Sequence, residues 1–288
     1  MAQRPKFSLL DHLTRHAPLV CDGSIDGPIY DLGFPAASPA FAANMSQPEL
    51  VKAVHTAYSN AGARVSRSNT AGAHRAFMES LAMADRCEAA NNSGSSLMRE
   101  AVGLRGVFSG RVESITKLLP GTHQRELLES AYGEQFVYLS DTGCWFFMLD
   151  EFHDEDDANA AMVAMARNSQ KPGILHWRLG SDEDLELAIK CMERLMAGQA
   201  EFIGVQLSCD RPHLSRDITR LVDYFGILSC LLDEVPSQEG TDSKGVSEQY
   251  SAAVRESLIA GVAILGGGRN TTPEHVAVID SCLKSLLS

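Results

Sequence analysis

The sequence lacks both a long apolar run and a cluster of basic residues. Its longest apolar stretches, such as residues 144–149, are far too short to span a bilayer, and no apolar segment follows the first six residues. We therefore expect no membrane span, no secretory signal and a cytoplasmic location. The formal net charge is -12, and no stretch is dense in lysine or arginine. Because nucleic acids and anionic membranes bind to basic surfaces, neither is an expected partner.

Cysteines are scattered along the chain. There are seven of them, and no two form a C-x-x-C motif. An odd number at irregular positions does not suit a disulfide framework, so we expect most of them to be small buried apolar residues. The sequence also has no G-x-G-x-x-G motif after its first predicted strand, which argues against an open dinucleotide-binding sheet.

Apolar segments typical of buried parallel strands alternate with helical segments along the whole chain. The predicted strands lie near residues 18–22, 63–69, 107–112, 144–151, 173–179, 202–208, 226–235 and 261–267. The predicted helices include 48–61, 123–139, 154–167, 182–196 and 273–287. Eight such units predict an α/β fold, a single (β/α)₈ TIM barrel over residues 1–288. A doubly wound open sheet is the alternative.

Two polar segments interrupt this period. Residues 87–103 contain an Asn-Asn-Ser-Gly-Ser-Ser run, and residues 236–245 form a polar run with two glycines and two serines. Both are predicted to be loops or insertions. In a barrel they are expected at the carboxyl ends of the strands, where active sites lie.

Short motifs along the chain carry a resemblance to a known family. The first strand ends in Leu19-Val20-Cys21-Asp22-Gly23, and the last strand-to-helix turn reads Gly266-Gly267-Gly268-Arg269-Asn270-Thr271-Thr272-Pro273-Glu274-His275. Further matches are Ser68-Asn69-Thr70, Tyr132-Gly133-Glu134-Gln135 and Ile203-Gly204-Val205. In this order and spacing, the motifs resemble the homocysteine S-methyltransferase family, and the resemblance covers essentially the full chain.

The resemblance implies a TIM barrel that transfers a methyl group to the sulfur of homocysteine. In the family, a zinc ion held by three cysteine thiolates binds that sulfur and favours the thiolate over the thiol. The methyl donor varies among members and is S-methylmethionine, betaine, or a folate- or corrinoid-linked system.

The three zinc cysteines of the family are replaced in this chain. Leu207 stands where the first is expected, and Gly268 and Arg269 stand where the other two are expected. Leucine and glycine side chains cannot coordinate a metal, and arginine is a permanent cation. The resemblance therefore implies a barrel without the Cys₃ zinc site, and we expect no zinc.

A metal site rebuilt from other residues is an alternative. Cys209 and His213 form a Cys-x-x-x-His motif, and His176 lies on an alternating face of the fifth predicted strand. His74, after the second predicted strand, is a further candidate ligand. The competing interpretation is that Cys209 is a loop cysteine and His213 begins the next helix, since nothing fixes the geometry that a metal requires.

Acidic residues at predicted strand ends are the catalytic candidates. Asp22 matches a family aspartate near the substrate, and its structural alternative is to cap the Gly23 turn. At the end of the fourth strand the family carries a glutamate that contacts the substrate's amino group, and either Asp150 or Glu151 matches it. Because neighbouring strand residues point to opposite faces, only one is expected to reach the interior. The ungapped alignment favours Asp150.

The turn after the last strand predicts an anion-binding site. It precedes a helix with Thr272 as its N-cap and Pro273 as its first residue, so free backbone N–H groups, the positive helix end and the guanidinium of Arg269 would meet there. The alternative is that Arg269 forms a salt bridge with an acid, such as one at the end of the fourth strand. The predicted substrate-binding residues are Asn69, Gly267, Gly268, Arg269 and Asn270. For Asn69 the alternative is to hold the loop that follows it.

Together these features predict methyl-group transfer between a small methylated donor and a thiol, folate or corrinoid acceptor. A corrinoid acceptor would be carried by a partner protein, since the chain has no cobalamin-binding domain. Activation of a thiol acceptor by a protein base is the route left open, although the sequence does not name that base. The alternative is a non-catalytic ligand-binding or regulatory barrel that kept the fold and lost the chemistry.

Overall fold

The computed structural model describes residues 8–180, 183–198, 202–235 and 246–288. The predicted loop at residues 236–245 lies outside the described residues. No helix in the described part of the chain is long and apolar enough to cross a membrane.

Eight parallel strands form one sheet, with the order β1-β8-β7-β6-β5-β4-β3-β2. The strands are β1 (Leu19–Val20), β2 (Val65–Arg67), β3 (Val107–Glu113), β4 (Phe146–Phe152), β5 (Gly173–Arg178), β6 (Phe202–Ser208), β7 (Leu228–Asp233) and β8 (Ile264–Gly267). A single bridge between Cys21 and Val65 joins the two ends of the sheet. The predicted (β/α)₈ barrel is confirmed, and each strand lies within its predicted segment or within a residue or two of it.

Helices surround the sheet. They are α1 (Leu9–His16), α2 (Asp26–Asp31), α3 (Ala43–Ser46), α4 (Pro48–Asn60), α5 (Arg75–Ser80), α6 (Cys87–Val102), α7 (Ile115–Leu118), α8 (Arg125–Asp141), α9 (Glu155–Asn168), α10 (Leu185–Gly198), α11 (Leu214–Phe225), α12 (Glu248–Ile259) and α13 (Pro273–Leu287). Short 3₁₀ turns cover Ala40–Ala42, Ala84–Arg86 and Gly103–Arg105. The helix that begins after Thr272 has a capping box formed by Thr272 and His275, as the sequence predicts for its N-terminus.

The prediction of a loop at residues 87–103 is wrong, because α6 occupies most of this segment. Asn91 of this helix is buried, and its Nδ2 donates to the carbonyls of Ala73 and Cys87, at 2.7 and 2.8 Å. A Cβ placed on Gly94 would lie 2.9 Å from the carbonyl oxygen of Asn69. The Asn-Ser-Gly composition thus lets a helix approach the end of β2 closely and does not signal a turn.

The barrel interior changes character along its axis. Its lower part is apolar, and Leu9 and Leu13 of α1 pack into it from below. Along β3 the inward positions are occupied by Val107, then by Ser109, Arg111 and Glu113, while the outward residues meet the helices. The upper part of the interior is therefore lined by polar and charged side chains at the carboxyl ends of the strands, where a barrel places its functional site.

Candidate functional site

A small cavity of about 60 Å³ lies at the carboxyl ends of the strands. Charged side chains of both signs dominate its wall. The lining residues are Ser24, Asp26, Arg67, Arg111, Glu113, Lys117, Asp150, Glu151, Gln206, Gly268 and Arg269. Of the residues predicted from the sequence, Asp150, Glu151, Gly268 and Arg269 lie here.

Arg67 is the buried centre of this arrangement, and its side chain is 2% exposed. Its Nε donates to Asp22 Oδ1 at 2.8 Å, and its Nη1 donates to Asp150 Oδ2 at 3.0 Å. Its Nη2 donates to the carbonyls of Asp22, Gly23 and Gly267. Two carboxylates and three carbonyls therefore compensate the buried guanidinium charge.

Asp22 supports the site from below, since it is fully buried and does not line the cavity. Its carboxylate accepts hydrogen bonds from the Arg67 guanidinium and, at 2.8 Å, from the backbone N–H of Arg67. The structure thus gives Asp22 a positioning contact, whereas the contact with substrate expected from the sequence stays a prediction.

Asp150 lies among three basic groups. Arg67 and Arg111 each donate to its Oδ2 at 3.0 Å, and Nδ1 of His176 lies 3.0 Å from its Oδ1. Burial alone would raise the pKa of Asp150, but the charges of Arg67 and Arg111 and the nearby His176 hold it well below the usual range. Asp150 is consequently a fixed anion that organises neighbouring cations.

Glu151 also reaches the cavity, so the expectation that only one of Asp150 and Glu151 does so is wrong. The β4–β5 register shifts between Leu149 and Phe152, and Glu151 adopts a left-handed backbone conformation with φ 69°. This irregularity breaks the strict alternation of the strand and turns both carboxylates towards the site.

Cations and an amide surround the Glu151 carboxylate. Arg269 Nε donates to its Oε1 at 2.9 Å and Nη2 to its Oε2, while Arg178 donates at 3.2 Å and Gln206 at 2.8 Å. Burial raises the pKa of Glu151, but Lys117, Arg269 and Arg178 together hold it below the ordinary value. The salt-bridge alternative for Arg269 is therefore what the structure contains.

Three N–H groups of the Gly266–Asn270 turn are already bonded. The N–H of Gly267 donates to Asp22 O at 3.0 Å and that of Gly268 to Leu232 O at 2.7 Å. Arg269 N donates to Asp233 Oδ1 at 2.7 Å. Protein acceptors thus satisfy the donors of Gly267, Gly268 and Arg269, which are unavailable to the predicted backbone anion pocket.

Two other predicted binding residues lie outside the cavity wall. Asn69 is buried, and its Nδ2 donates to Ala40 O at 2.9 Å and to Asn44 Oδ1 at 2.8 Å. It holds the loop after β2, which is the structural alternative. Asn270 is exposed, and its Nδ2 donates to Glu234 O at 3.1 Å.

The residues of the alternative metal site do not converge. His176 is inside the barrel, with Nε2 2.8 Å from Ser229 Oγ, while His213 is exposed and precedes α11. Cys209 donates to Glu234, and His74 caps α5 by accepting the N–H of Phe77. Within the described ranges, no group of three or more metal-ligating side chains is arranged to hold an ion. The alternative of a rebuilt metal site is therefore not supported by these residues, and His213 is the N-cap of the next helix, as the competing interpretation expects.

Glu113 and Lys117 complete the cavity and are not named by the sequence analysis. Lys117 on α7 contacts Glu113 Oε1, and its Nζ lies 4.0 Å from Glu151 Oε2. Buried Asp157 anchors the intervening turn by accepting from Ser114 Oγ at 2.7 Å. Burial raises the pKa of Glu113, and Lys117 only partly opposes this.

Sequence signals for the missed residues exist. In β3 the polar residues Ser109, Arg111 and Glu113 recur at every second position, which is the period of one face of a strand. Arg67 is the one charged residue between apolar and serine neighbours in β2. A charged residue at an inward position near the carboxyl end of a strand is typical of a barrel's site, and this pattern predicts Arg67, Arg111 and Glu113 as site residues.

The fold and the site define a barrel enzyme whose polar site lies at the carboxyl ends of parallel strands. Residues 19–283 match the family model of homocysteine S-methyltransferase. Because the match spans most of the chain, the protein belongs to this family and is an enzyme of the methyltransferase type. A comparison with curated proteins gave no significant match.

Solved structures share the fold at low sequence identity. The metallated homocysteine methyltransferase MmuM from Escherichia coli is 16% identical, with a TM-score of 0.76 over 95% of this chain and 99% of that chain. A methyltransferase from Methanosarcina mazei is 14% identical, with a TM-score of 0.61 over 97% and 98%. The carboxyl transferase domain of Rhizobium etli pyruvate carboxylase is 10% identical, with a TM-score of 0.57 over 96% of this chain and 48% of that chain.

The residues present do not fit the Cys₃ zinc site that is typical of the family. A Cβ placed on Gly268 would lie 2.0 Å from Asp233 Oδ1, so this carboxylate already occupies the space of a side chain. The next residue, Arg269, brings a guanidinium to the cavity wall. Leu207 packs in the core between sheet and helices, and the cavity-facing residue of β6 is Gln206.

Proposed function

We propose that this enzyme transfers a methyl group from a small methylated donor to a thiol acceptor without thiolate-bound zinc. The observation that carries the proposal is the Arg269 guanidinium, which lines the cavity at the position of a family zinc ligand. Folate and corrinoid acceptors, the latter on a partner protein, are the alternatives within the same class.

Positive charge around the cavity supports activation of a thiol. Lys117, Arg178 and Arg269 surround Glu151, with side-chain exposures of 28, 26 and 43%. Cations near a thiol favour the thiolate, which is the nucleophilic form. These groups can supply part of the electrostatic effect that zinc supplies in the metal-dependent reaction.

Unpartnered acceptors in the same cavity favour a ligand that also carries an ammonium group. Gln206 is 2% exposed, and its Oε1 has no hydrogen-bond partner in the described part of the protein. Asp26 Oδ1 likewise accepts no hydrogen bond, although Arg111 Nη1 lies 3.8 Å away. Because buried acceptors require donors, an ammonium group would satisfy an oxygen of this kind. The guanidinium of Arg269 would hold a carboxylate of the same ligand.

The test is an assay of homocysteine methylation in the presence of a chelator, with S-methylmethionine and betaine as donors and mass spectrometry of the products. We expect metal-free protein to form methionine. Arg269→Ala should weaken homocysteine binding about 10- to 100-fold, which is the loss expected for a charged hydrogen bond. The control is Arg194→Ala, since Arg194 pairs with Glu155 on the surface.

Three outcomes would count against the proposal. Activity that requires added zinc would overturn the metal-free part. Turnover only with a folate or a methylcorrinoid would replace the thiol acceptor. Tight binding of homocysteine without any methyl transfer would favour the non-catalytic barrel, a reading that fits the extensive pairing of the cavity charges.

A further inference from the structure

The carboxylates in the cavity differ in how completely they are paired. Both oxygens of Glu151 accept hydrogen bonds from cations or from Gln206. Asp150 Oδ2 accepts from Arg67 and Arg111, while its Oδ1 lies 3.0 Å from Nδ1 of His176 without a hydrogen bond. Glu151 therefore has no unpaired oxygen for a further proton, and the cations beside Asp150 hold the pKa of that carboxylate well below the usual range.

Two other carboxylates of the cavity have an oxygen that accepts no hydrogen bond from a described residue: Asp26, whose side chain is 41% exposed, and Glu113. Lys117 contacts its Oε1, but its Oε2 accepts no hydrogen bond from any residue that the structure describes. The side chain lines the cavity although the residue is only 4% exposed. One carboxylate oxygen is thus held within the site and directed to no protein donor.

The surroundings of Glu113 keep this oxygen in place. Its turn is fixed from behind, since Asp157 accepts both the N–H and the hydroxyl of Thr116, at 3.3 and 3.0 Å. The charged and titratable groups that face Glu113 are Lys117 on α7, Arg111 on β3, Asp26 and Tyr30 on α2, Tyr132 on α8, and Arg269 after β8.

We infer that Glu113 is the base of this enzyme: its carboxylate contacts the acceptor thiol and takes the thiol proton when the methyl group is transferred. This inference rests on the proposed function and names a residue that it leaves open. Burial raises the pKa of Glu113, which is the direction that makes a carboxylate a better proton acceptor.

The transfer balances with an onium donor, that is, a sulfonium or quaternary ammonium compound. The thiol proton moves to Glu113, and the electron pair released from the S–H bond forms the new bond from sulfur to the methyl carbon. The bond between that carbon and the donor's sulfur or nitrogen breaks, and its pair stays with the donor, which leaves as a neutral sulfide or amine. Glu113 then returns the proton to solvent.

The experiment compares wild type, Glu113→Gln and Glu113→Asp with homocysteine and S-methylmethionine, measuring kcat and kcat/KM across pH. In the wild type we expect the rate to fall at acidic pH as Glu113 becomes protonated. Glu113→Gln should lower kcat about 100-fold or more and remove this acidic limb. Glu113→Asp should retain part of the rate, and the acidic limb of its pH–rate profile should move to a different pH. Glu129→Gln, at a surface ion pair with Arg125 and Arg167, is the control.

A Glu113→Gln variant that keeps the wild-type kcat and acidic limb would overturn the role of Glu113 and leave the proposed function standing. Absence of turnover by the wild type with every donor would overturn both. A further test uses the wild-type protein without substrate, so that its result does not depend on whether a variant folds. Carbodiimide labelling followed by mass spectrometry should modify Glu113 faster than Asp150 and Glu151, and equal protection of all three would also overturn the inference.

Discussion

The side chain of Asp22 bonds to Arg67 twice, through the backbone N–H and through Nε, both at 2.8 Å. These two residues lie at the ends of β1 and β2, the strands at which the sheet closes. One bridge, between Cys21 and Val65, joins those strands directly. The Asp22–Arg67 pair therefore closes the barrel at its upper rim and sets the base on which the cavity is built.

Replacement of Arg67 by methionine should destabilise the protein strongly. The change leaves Asp22 and Asp150 as buried carboxylates without their main partner, and removal of one member of a buried ion pair costs about 3–5 kcal/mol. Urea unfolding followed by circular dichroism measures this loss. Arg194→Ala is the surface control and should change the free energy of unfolding by less than about 1 kcal/mol. A similarly small effect of Arg67→Met would show that the barrel closes without this pair.

The architecture could be predicted from the sequence because strand and helix periods are local properties. The eight apolar strands and the alternating helices required only the pattern of each segment. The local pattern gave the wrong prediction for residues 87–103. This helix approaches the end of β2 closely and therefore needs small residues such as Gly94. Those residues lower helix propensity and look like a loop.

The site was only partly predictable for a different reason. Position along the chain indicated that Asp150, Glu151 and Arg269 lie at strand ends, but their partners come from distant segments. Arg269 and Glu151 are 118 residues apart in the chain. The left-handed conformation of Glu151 is also set by the surrounding structure and has no local signature, so strict alternation wrongly excluded one of the two acids.

Two buried histidines should make the stability depend on pH. Burial lowers the pKa of His55 to about 4 and that of His74 to about 3. Because these folded-state values lie below the unfolded value of about 6.5, the unfolded chain binds protons first as the pH falls. The contribution of these two neutral histidines to the free energy of unfolding is present above about pH 6.5 and is lost progressively below it.

Between pH 7.5 and 5.5, each of these histidines should remove about 1.4 kcal/mol from the free energy of unfolding. Urea titrations at both values measure the loss. His55→Gln should make the dependence on pH shallower by that amount, whatever it does to absolute stability. His123→Gln, an exposed control, should leave the slope unchanged. Equal slopes in all three proteins would show that His55 does not stay neutral in the fold.

Gly94→Ala tests the close approach of α6 to the rest of the barrel. Alanine favours a helix over glycine by about 1 kcal/mol, but the added Cβ would lie 2.5 Å from Asn44 Nδ2 and 2.9 Å from the Asn69 carbonyl. We expect the steric effect to dominate, with a net loss of about 1–3 kcal/mol in chemical denaturation. Ser96→Ala, on the exposed face of α6, should be neutral or slightly stabilising. A stabilising Gly94→Ala would mean that the helix can move away at little cost.

Restoring the family's cysteine pair should not by itself restore zinc. In a Gly268→Cys, Arg269→Cys variant, the new side chain at position 268 meets Asp233 Oδ1, which would lie 2.0 Å from its Cβ. Asp233 cannot withdraw easily, because Arg178 Nη2 lies 2.8 Å from its Oδ2 and Gln206 Nε2 lies 2.9 Å from its Oδ1. If Asp233 keeps the thiol at position 268 out of place, the thiol at position 269 cannot hold zinc tightly without further ligands.

Elemental analysis of protein purified without a His tag, before and after incubation with zinc, measures the outcome. We expect less than one zinc per ten chains in the double variant and in the wild type. Adding Asp233→Ala and Gln206→Cys clears the space and supplies a third thiolate from β6, next to position 268. That variant should gain zinc if the side chains at 206, 268 and 269 converge. If the double variant already binds stoichiometric zinc, Asp233 does not exclude the metal. The presence of Gly268 and Arg269 in place of cysteines would then be enough to explain why the wild type binds none.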